Sequence, residues 1–213
     1  MKTDDLISML ATGVAPVDPR LLAKRMSIAL IAGALGATLL TALLLGVRPD
    51  LAQVSATPLF WAKVAFPLLM LIGAVAVTSR LARPGVAPGS GRWVIALTVA
   101  VIWLWGAYVV IYAPPDLQLA AILGKTWRVC PFNIAMLSVP AFVAVFWALR
   151  ELAPTRPALA GASAGLMSGA VAALAYCLHC PEMGVAFWGV WYLLGMLVPT
   201  VVGALLGPRL LRW

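Results

Sequence analysis

Apolar residues fill most of this chain in long blocks, broken at Arg48-Pro49-Asp50, across residues 80–92, at Pro114-Pro115, around Arg150 to Arg156 and at Pro181-Glu182. A helix needs about 20 such residues to cross roughly 30 Å of hydrocarbon. Six blocks meet that length: residues 26–47, 60–79, 93–112, 131–149, 158–178 and 185–206. The pattern predicts an all-α integral membrane protein, a bundle of six transmembrane helices with short connecting loops. Residues 1–25 stand apart as a more polar arm, so the chain divides into 1–25 and a membrane domain, 26–213.

Composition agrees, with 63% hydrophobic and only 10% charged residues in 213. Soluble domains carry about a quarter charged residues, which excludes that class. The net charge of +8 raises the question of nucleic acid. The cations sit at span borders, however, so they predict orientation against head groups and no direct nucleic-acid binding. On one side fall Lys2, Arg20, Lys24, Arg25, Arg80, Arg83, Arg92, Arg150, Arg156, Arg209 and Arg212; on the other, only Arg48, Lys63, Lys125 and Arg128, eleven against four. Positive charge marks the cytoplasmic side, so both termini are expected there. The N-terminus lacks the basic start, apolar core and cleavage site of a signal peptide, so residues 1–25 are expected on the mature protein. Span interiors hold essentially no ionisable residues, which argues against a pump or transporter. Lys63, near the start of the second span, is expected to snorkel to the interface.

Gly161, Gly165 and Gly169 repeat every fourth residue and allow close approach of another helix, within the bundle or across a homodimer. Trp93, Trp103, Trp105, Trp127, Trp188, Trp191 and Trp213 are expected mostly in interfacial belts. In the arm, Thr3 or Asp4 can cap a short helix, with Asp5 near its positive end. Leu6, Met9 and Leu10, with Ile7 beside them, then form one apolar stripe. About ten residues are too few for a stable isolated helix, so the stripe calls for a partner's groove. Two acids and one lysine make the membrane surface a poor match.

The three cysteines, Cys130, Cys177 and Cys180, lie at span ends that the charge count turns outward. Cys130 follows Arg128 at a helix start, where cation and dipole favour thiolate, so it is expected to be the more reactive. Cys180 and Cys130 can meet if the fourth and fifth helices are antiparallel neighbours. Three chemistries fit: disulfide cycling, a soft metal ion held transiently by Cys130 and Cys180, or a thiol oxidoreductase. Cys177, His179 and Glu182 are possible accessory ligands or sensor residues. Burial as a small apolar residue is the alternative, strongest for Cys177.

The Lys2-Thr3-Asp4-Asp5-Leu6-Ile7 opening, the six spans, the Ala153-Pro154-Thr155-Arg156-Pro157-Ala158-Leu159-Ala160-Gly161 turn and the His179-Cys180-Pro181-Glu182 motif together resemble the NrsF-type family of bacterial membrane anti-sigma factors. The resemblance runs the length of the chain. It implies a non-enzymatic regulator without a cofactor, which holds an extracytoplasmic-function (ECF) sigma factor of the sigma-F type through residues of its N-terminus. Thr3, Asp4, Asp5, Leu6, Ile7 and Leu10 are the matching positions. It also implies that two outward cysteines serve the response to heavy-metal or oxidative stress, and by motif these match Cys130 and Cys180. Cys177 is an addition to that pattern. The competing reading is a membrane thiol oxidoreductase coupling periplasmic thiols to quinone, for which three cysteines are one short of two redox pairs.

Overall fold

The computed structural model describes residues 3–12, 20–150, 152 and 154–211. Lys2, Ala153, Arg212, Trp213 and the Gly/Pro break of the arm up to Pro19 lie outside them. The described residues form only helices, turns and loops. These are α1 (Thr3–Ala11), α2 (Leu21–Leu40, extended by one π turn over Thr41–Leu45), α3 (Leu51–Val54), α4 (Pro58–Leu81), α5 (Gly91–Ile111), α6 (Pro115–Leu123), α7 (Cys130–Leu137), α8 (Val139–Leu149), α9 (Pro157–Tyr176) and α10 (Val185–Leu210).

Five of these, α2, α4, α5, α9 and α10, are long and apolar enough to cross a membrane. The expected fourth span is instead a pair, α7 and α8, bent by 41° at Ser138. Pro140 has no N–H to give the preceding turn, and the Ser138 hydroxyl donates back to the Ala135 carbonyl at 2.6 Å. Other ends follow local chemistry too. The Thr57 hydroxyl accepts from Phe60 N ahead of α4, and Pro58 sits in its first turn. The first span begins at Leu21, five residues before the expected start, so Lys24 and Arg25 belong to its first turns. Short helices α3 and α6, which the hydropathy blocks do not reveal, fill connections expected as plain loops.

The helix at the centre is α9, packed by α2, α4, α7, α8 and α10, and 15 of its 20 residues are buried. Small side chains put it there. A Cβ on Gly161 would strike the Gly203 carbonyl, one on Gly165 the Pro199 carbonyl, and one on Gly207 the Pro157 carbonyl. The glycine series is therefore consumed by α10 of the same chain, and the homodimer expected as an alternative use of Gly161, Gly165 and Gly169 has no free face there. The periphery is the reverse of α9: Leu35 on α2 and Leu97, Leu104 and Ile111 on α5 stand well exposed. A continuous apolar exterior of this kind associates the chain with a membrane. The tryptophans divide. Trp93 and Trp61 are exposed, whereas Trp188 is wholly buried and Trp103 and Trp191 donate to the Gly189 and Ile122 carbonyls. Trp188 is thus core, contrary to the belt expected for it.

Candidate functional site

Three connections meet at one end of the bundle: residues 46–57, 112–129 and 177–184. Each is tied to the last by a residue of the His179-Cys180-Pro181-Glu182 motif or its neighbours. Arg48 N donates to the Leu178 carbonyl at 3.0 Å, and His179 Nδ1 lies 2.9 Å from the Gly46 carbonyl. Glu182 Oε1 accepts from the backbone N–H groups of Lys125 and Thr126 at 2.7 and 3.1 Å. Gly124, at φ +56 and ψ −160, makes that anchor possible. Its backbone lies in a region open only to glycine, and a Cβ there would fall 2.8 Å from Glu182 Oε2. Gly124→Ala is expected to cost about 1–3 kcal/mol from backbone strain alone and to free the Glu182 loop. Thermal unfolding in detergent reads this, and a midpoint equal to the parent's would contradict it.

Beneath these loops lie all three cysteines. Cys130 and Cys180 are 0% exposed and Cys177 is 1% exposed, so none stands at the water boundary expected for Cys130 and Cys180. The connections fold over them and join them to the main core. Cys130 and Cys180 are brought into one cluster, close enough for each to act on the other electrostatically. Around them stand Tyr176 and Tyr192, both buried, with Asn133 Nδ2 3.4 Å from the Tyr176 hydroxyl. The Tyr192 hydroxyl has no well-formed hydrogen bond and lies within polar reach of Cys177 and Cys180.

The electrostatics differ from the expectation. Arg128 lies over the Trp127 ring, 5.1 Å from its centroid. The cation that faces the sulfurs is Lys63. It does not snorkel: it is 0% exposed, and its ammonium donates to the carbonyls of Cys180 and Glu182, both at 2.8 Å. It lies 5.6 Å from the centroid of the Tyr192 ring. Arg48 adds a second cationic donor to the Cys180 carbonyl at 3.0 Å while gripping Asp50 through two bonds of 2.7 and 2.8 Å. Both cations reach residue 180 through its carbonyl, whereas Arg128, the cation expected to act on Cys130, is stacked on Trp127. The Cys180 thiol is held below the ordinary value chiefly by the neighbouring Cys130, which outweighs burial; the Lys63 charge and Tyr192 act in the same sense.

The arrangement can support dithiol chemistry. Among the described residues no three His, Cys, Asp or Glu side chains converge as a metal cage requires. His179 and Glu182, expected as accessory ligands, are engaged by backbone of other loops. The sequence reading missed Lys63, Arg48, Tyr176, Tyr192 and Gly124 as site residues. A signal was available for one of them, since an ionisable residue within a span is a functional candidate by its cost alone.

At the start of the chain, α1 carries the expected stripe fully uncovered. Leu6 is 38%, Ile7 58%, Met9 63% and Leu10 68% exposed, and no residue of α1 is buried.

Comparison with known proteins gives one consistent answer. The family described as "Negative regulator of sigma F", NrsF, matches residues 10–213. A protein of Azospira oryzae named "Probable anti-sigma-F factor NrsF" is 49% identical over 216 residues, covering 100% of both chains. One of Caulobacter vibrioides named "Anti-sigma-F factor NrsF" is 42% identical over 225 residues, again covering 100% of both. No solved structure matches.

Proposed function

The chain belongs to the family of negative regulators of sigma F, and from that premise we propose that it is an inner-membrane anti-sigma factor that grips an ECF sigma factor of the sigma-F type through α1. The observation that carries the reading is the uncovered stripe of Leu6, Ile7, Met9 and Leu10 on a helix too short to be stable alone. Thr3, Asp4 and Asp5 at its start give the partner a polar register beside the stripe. A sigma factor that seats the stripe in an apolar groove covers it, in the helix-in-groove manner.

Along the sequence, eleven cations border one set of span ends and four the other, which supports a cytoplasmic place for both termini and α1. The cysteine end then faces the oxidising side of the membrane, where a dithiol can close to a disulfide. Cys130 and Cys180 are the stress-sensing pair, and closing of that pair releases the sigma factor. The route inward is α2. Arg48, just beyond its end, holds the Cys180 carbonyl, and the other end of α2 leads to the arm.

The test is a pull-down of the sigma factor by the intact protein and by a Leu6→Asp, Ile7→Asp, Leu10→Asp variant. Retention should fall at least tenfold, because charges replace the three residues that the groove must desolvate. Equal retention would remove α1 as the grip.

A further inference from the structure

Lys63 is the residue of this chain whose burial is least explained by folding alone. An ammonium fully removed from water is costly unless matched by an opposite charge. Among the described residues no carboxylate pairs with it. Asp50 is bound by Arg48, and the Glu182 carboxylate is turned to the 125–126 backbone. Lys63 has two carbonyls as partners, those of Cys180 and Glu182, and its charge acts on all three cysteine sulfurs. The groups facing the sulfurs from the packed elements are Lys63 on α4, Cys130 on α7, Tyr176 on α9 with Cys177 just beyond it, Tyr192 on α10, and Arg48 beyond α2. The negative charge absent from this set is one that a cysteine can supply.

We propose that Lys63 is the positioning residue of the cysteine pair: its ammonium fixes the Cys180 loop through two carbonyls and makes Cys180 the attacking sulfur and Cys130 the resolving one. This rests on the redox reading of the pair given above. With a hydroperoxide as oxidant, the Cys180 thiolate attacks the distal oxygen of hydrogen peroxide and breaks the O–O bond. Cys180 becomes a sulfenic acid and hydroxide leaves. The Cys130 thiol then attacks the Cys180 sulfur, forming the S–S bond and expelling the sulfenic oxygen as water. Two thiol sulfurs lose two electrons and one peroxide is reduced. Once the thiolate is consumed, the direct partners of Lys63 are only the carbonyls of the loop that has just been bridged, and the carboxylate its charge reaches, Asp50, is already bound by Arg48. The reaction thereby loads the contact between α4 and the 180–182 segment.

The experiment uses the full-length protein in detergent with hydrogen peroxide, following the Cys130–Cys180 disulfide by mass spectrometry after thiol blocking. A neighbouring opposite charge lowers an acid's pKa by about 1–3, and the thiolate lost is partly offset by greater intrinsic nucleophilicity. Lys63→Met should slow disulfide formation at pH 7 about tenfold and move the midpoint of its pH profile upward. Lys63→Arg should restore most of both. A change in loop opening alone would rescale the rate at every pH without moving the midpoint. A folded Lys63→Met protein with the parent's midpoint overturns the proposal. If that variant does not fold, Lys63→Gln, which keeps a hydrogen-bond donor and loses the charge, decides: a midpoint moved upward supports the proposal, and the parent's midpoint overturns it. An unmoved profile with an intact cellular response removes only the role of Lys63, whereas a response that survives loss of both cysteines removes the sensor reading itself.

Discussion

In a Cys180→Ser protein, hydrogen peroxide is expected to leave the sigma factor bound, with a sigma-dependent reporter staying at its uninduced level. Serine is nearly isosteric with a reduced thiol, so the loop remains seated. Arg48 and Lys63 still find the residue-180 carbonyl, because both bind backbone there. What serine cannot do is form the bond to Cys130. The protein is therefore locked in its holding state, blind to oxidant, and not constitutively open. Cys130→Ser should give the same blindness, because a sulfenic acid on Cys180 then has no resolving partner. It should differ in one respect: Cys180 stays oxidisable, and a sulfenic-acid trap should label it in Cys130→Ser and label nothing at position 130 in Cys180→Ser. Cys177→Ser should respond as the parent does, since its sulfur is not paired with Cys130. A normal reporter response in the Cys130→Ser, Cys180→Ser double variant would end the sensor assignment.

Gly165→Leu is expected to have the largest effect on stability. A first added carbon at Gly165 already collides with the Pro199 carbonyl, and three more carbons follow it. Relief would require α9 and α10 to separate. The α9 helix cannot retreat, because α2, α4, α7 and α8 pack its other sides. Overpacking of a rigid site costs about 3 kcal/mol at the upper end of the usual range, and separation would also forfeit the Gly203 and Gly207 contacts. The expected readout is a much lower thermal midpoint in detergent, with a smaller monodisperse fraction. A stable protomer with an altered oligomeric state would instead mean that this seam faces a second copy.

The same seam illustrates what can be read from spacing alone. Glycine at every fourth position announces a close helix contact, because removing Cβ is the only way two backbones approach so near. Which helix arrives is not encoded in that spacing. Hydropathy blocks likewise predicted where the long apolar helices lie, since the roughly 30 Å of hydrocarbon sets a span's length whatever it packs against. It did not predict the 41° break at Ser138, nor α6, because both depend on a few backbone hydrogen bonds in an apolar background. The stripe on α1 was legible for the opposite reason. It is local, and nothing among the described residues covers it.

The cysteine end was legible in part. Motif and orientation selected Cys130 and Cys180 as a pair from their places at the ends of two spans. The electrostatic assignment went the other way. Reasoning from neighbours in sequence put Arg128 beside Cys130, and that guanidinium stacks on Trp127 instead. The cation that faces the pair comes from position 63, 117 residues away from Cys180 along the chain.

By itself, then, the sequence determined an apolar helical protein with a short amphipathic helix at its start and sulfur gathered at one end. Those properties depend on composition, on periodicity and on the thickness of a bilayer, all of which act along the chain. Tertiary structure alone decided that the glycine seam closes within one protomer, that the sulfurs are buried, and that Lys63 lies among them. A buried charge is tolerated only where distant elements bring it partners, and the carbonyls of Cys180 and Glu182 reach Lys63 only after α4, α9 and α10 have packed.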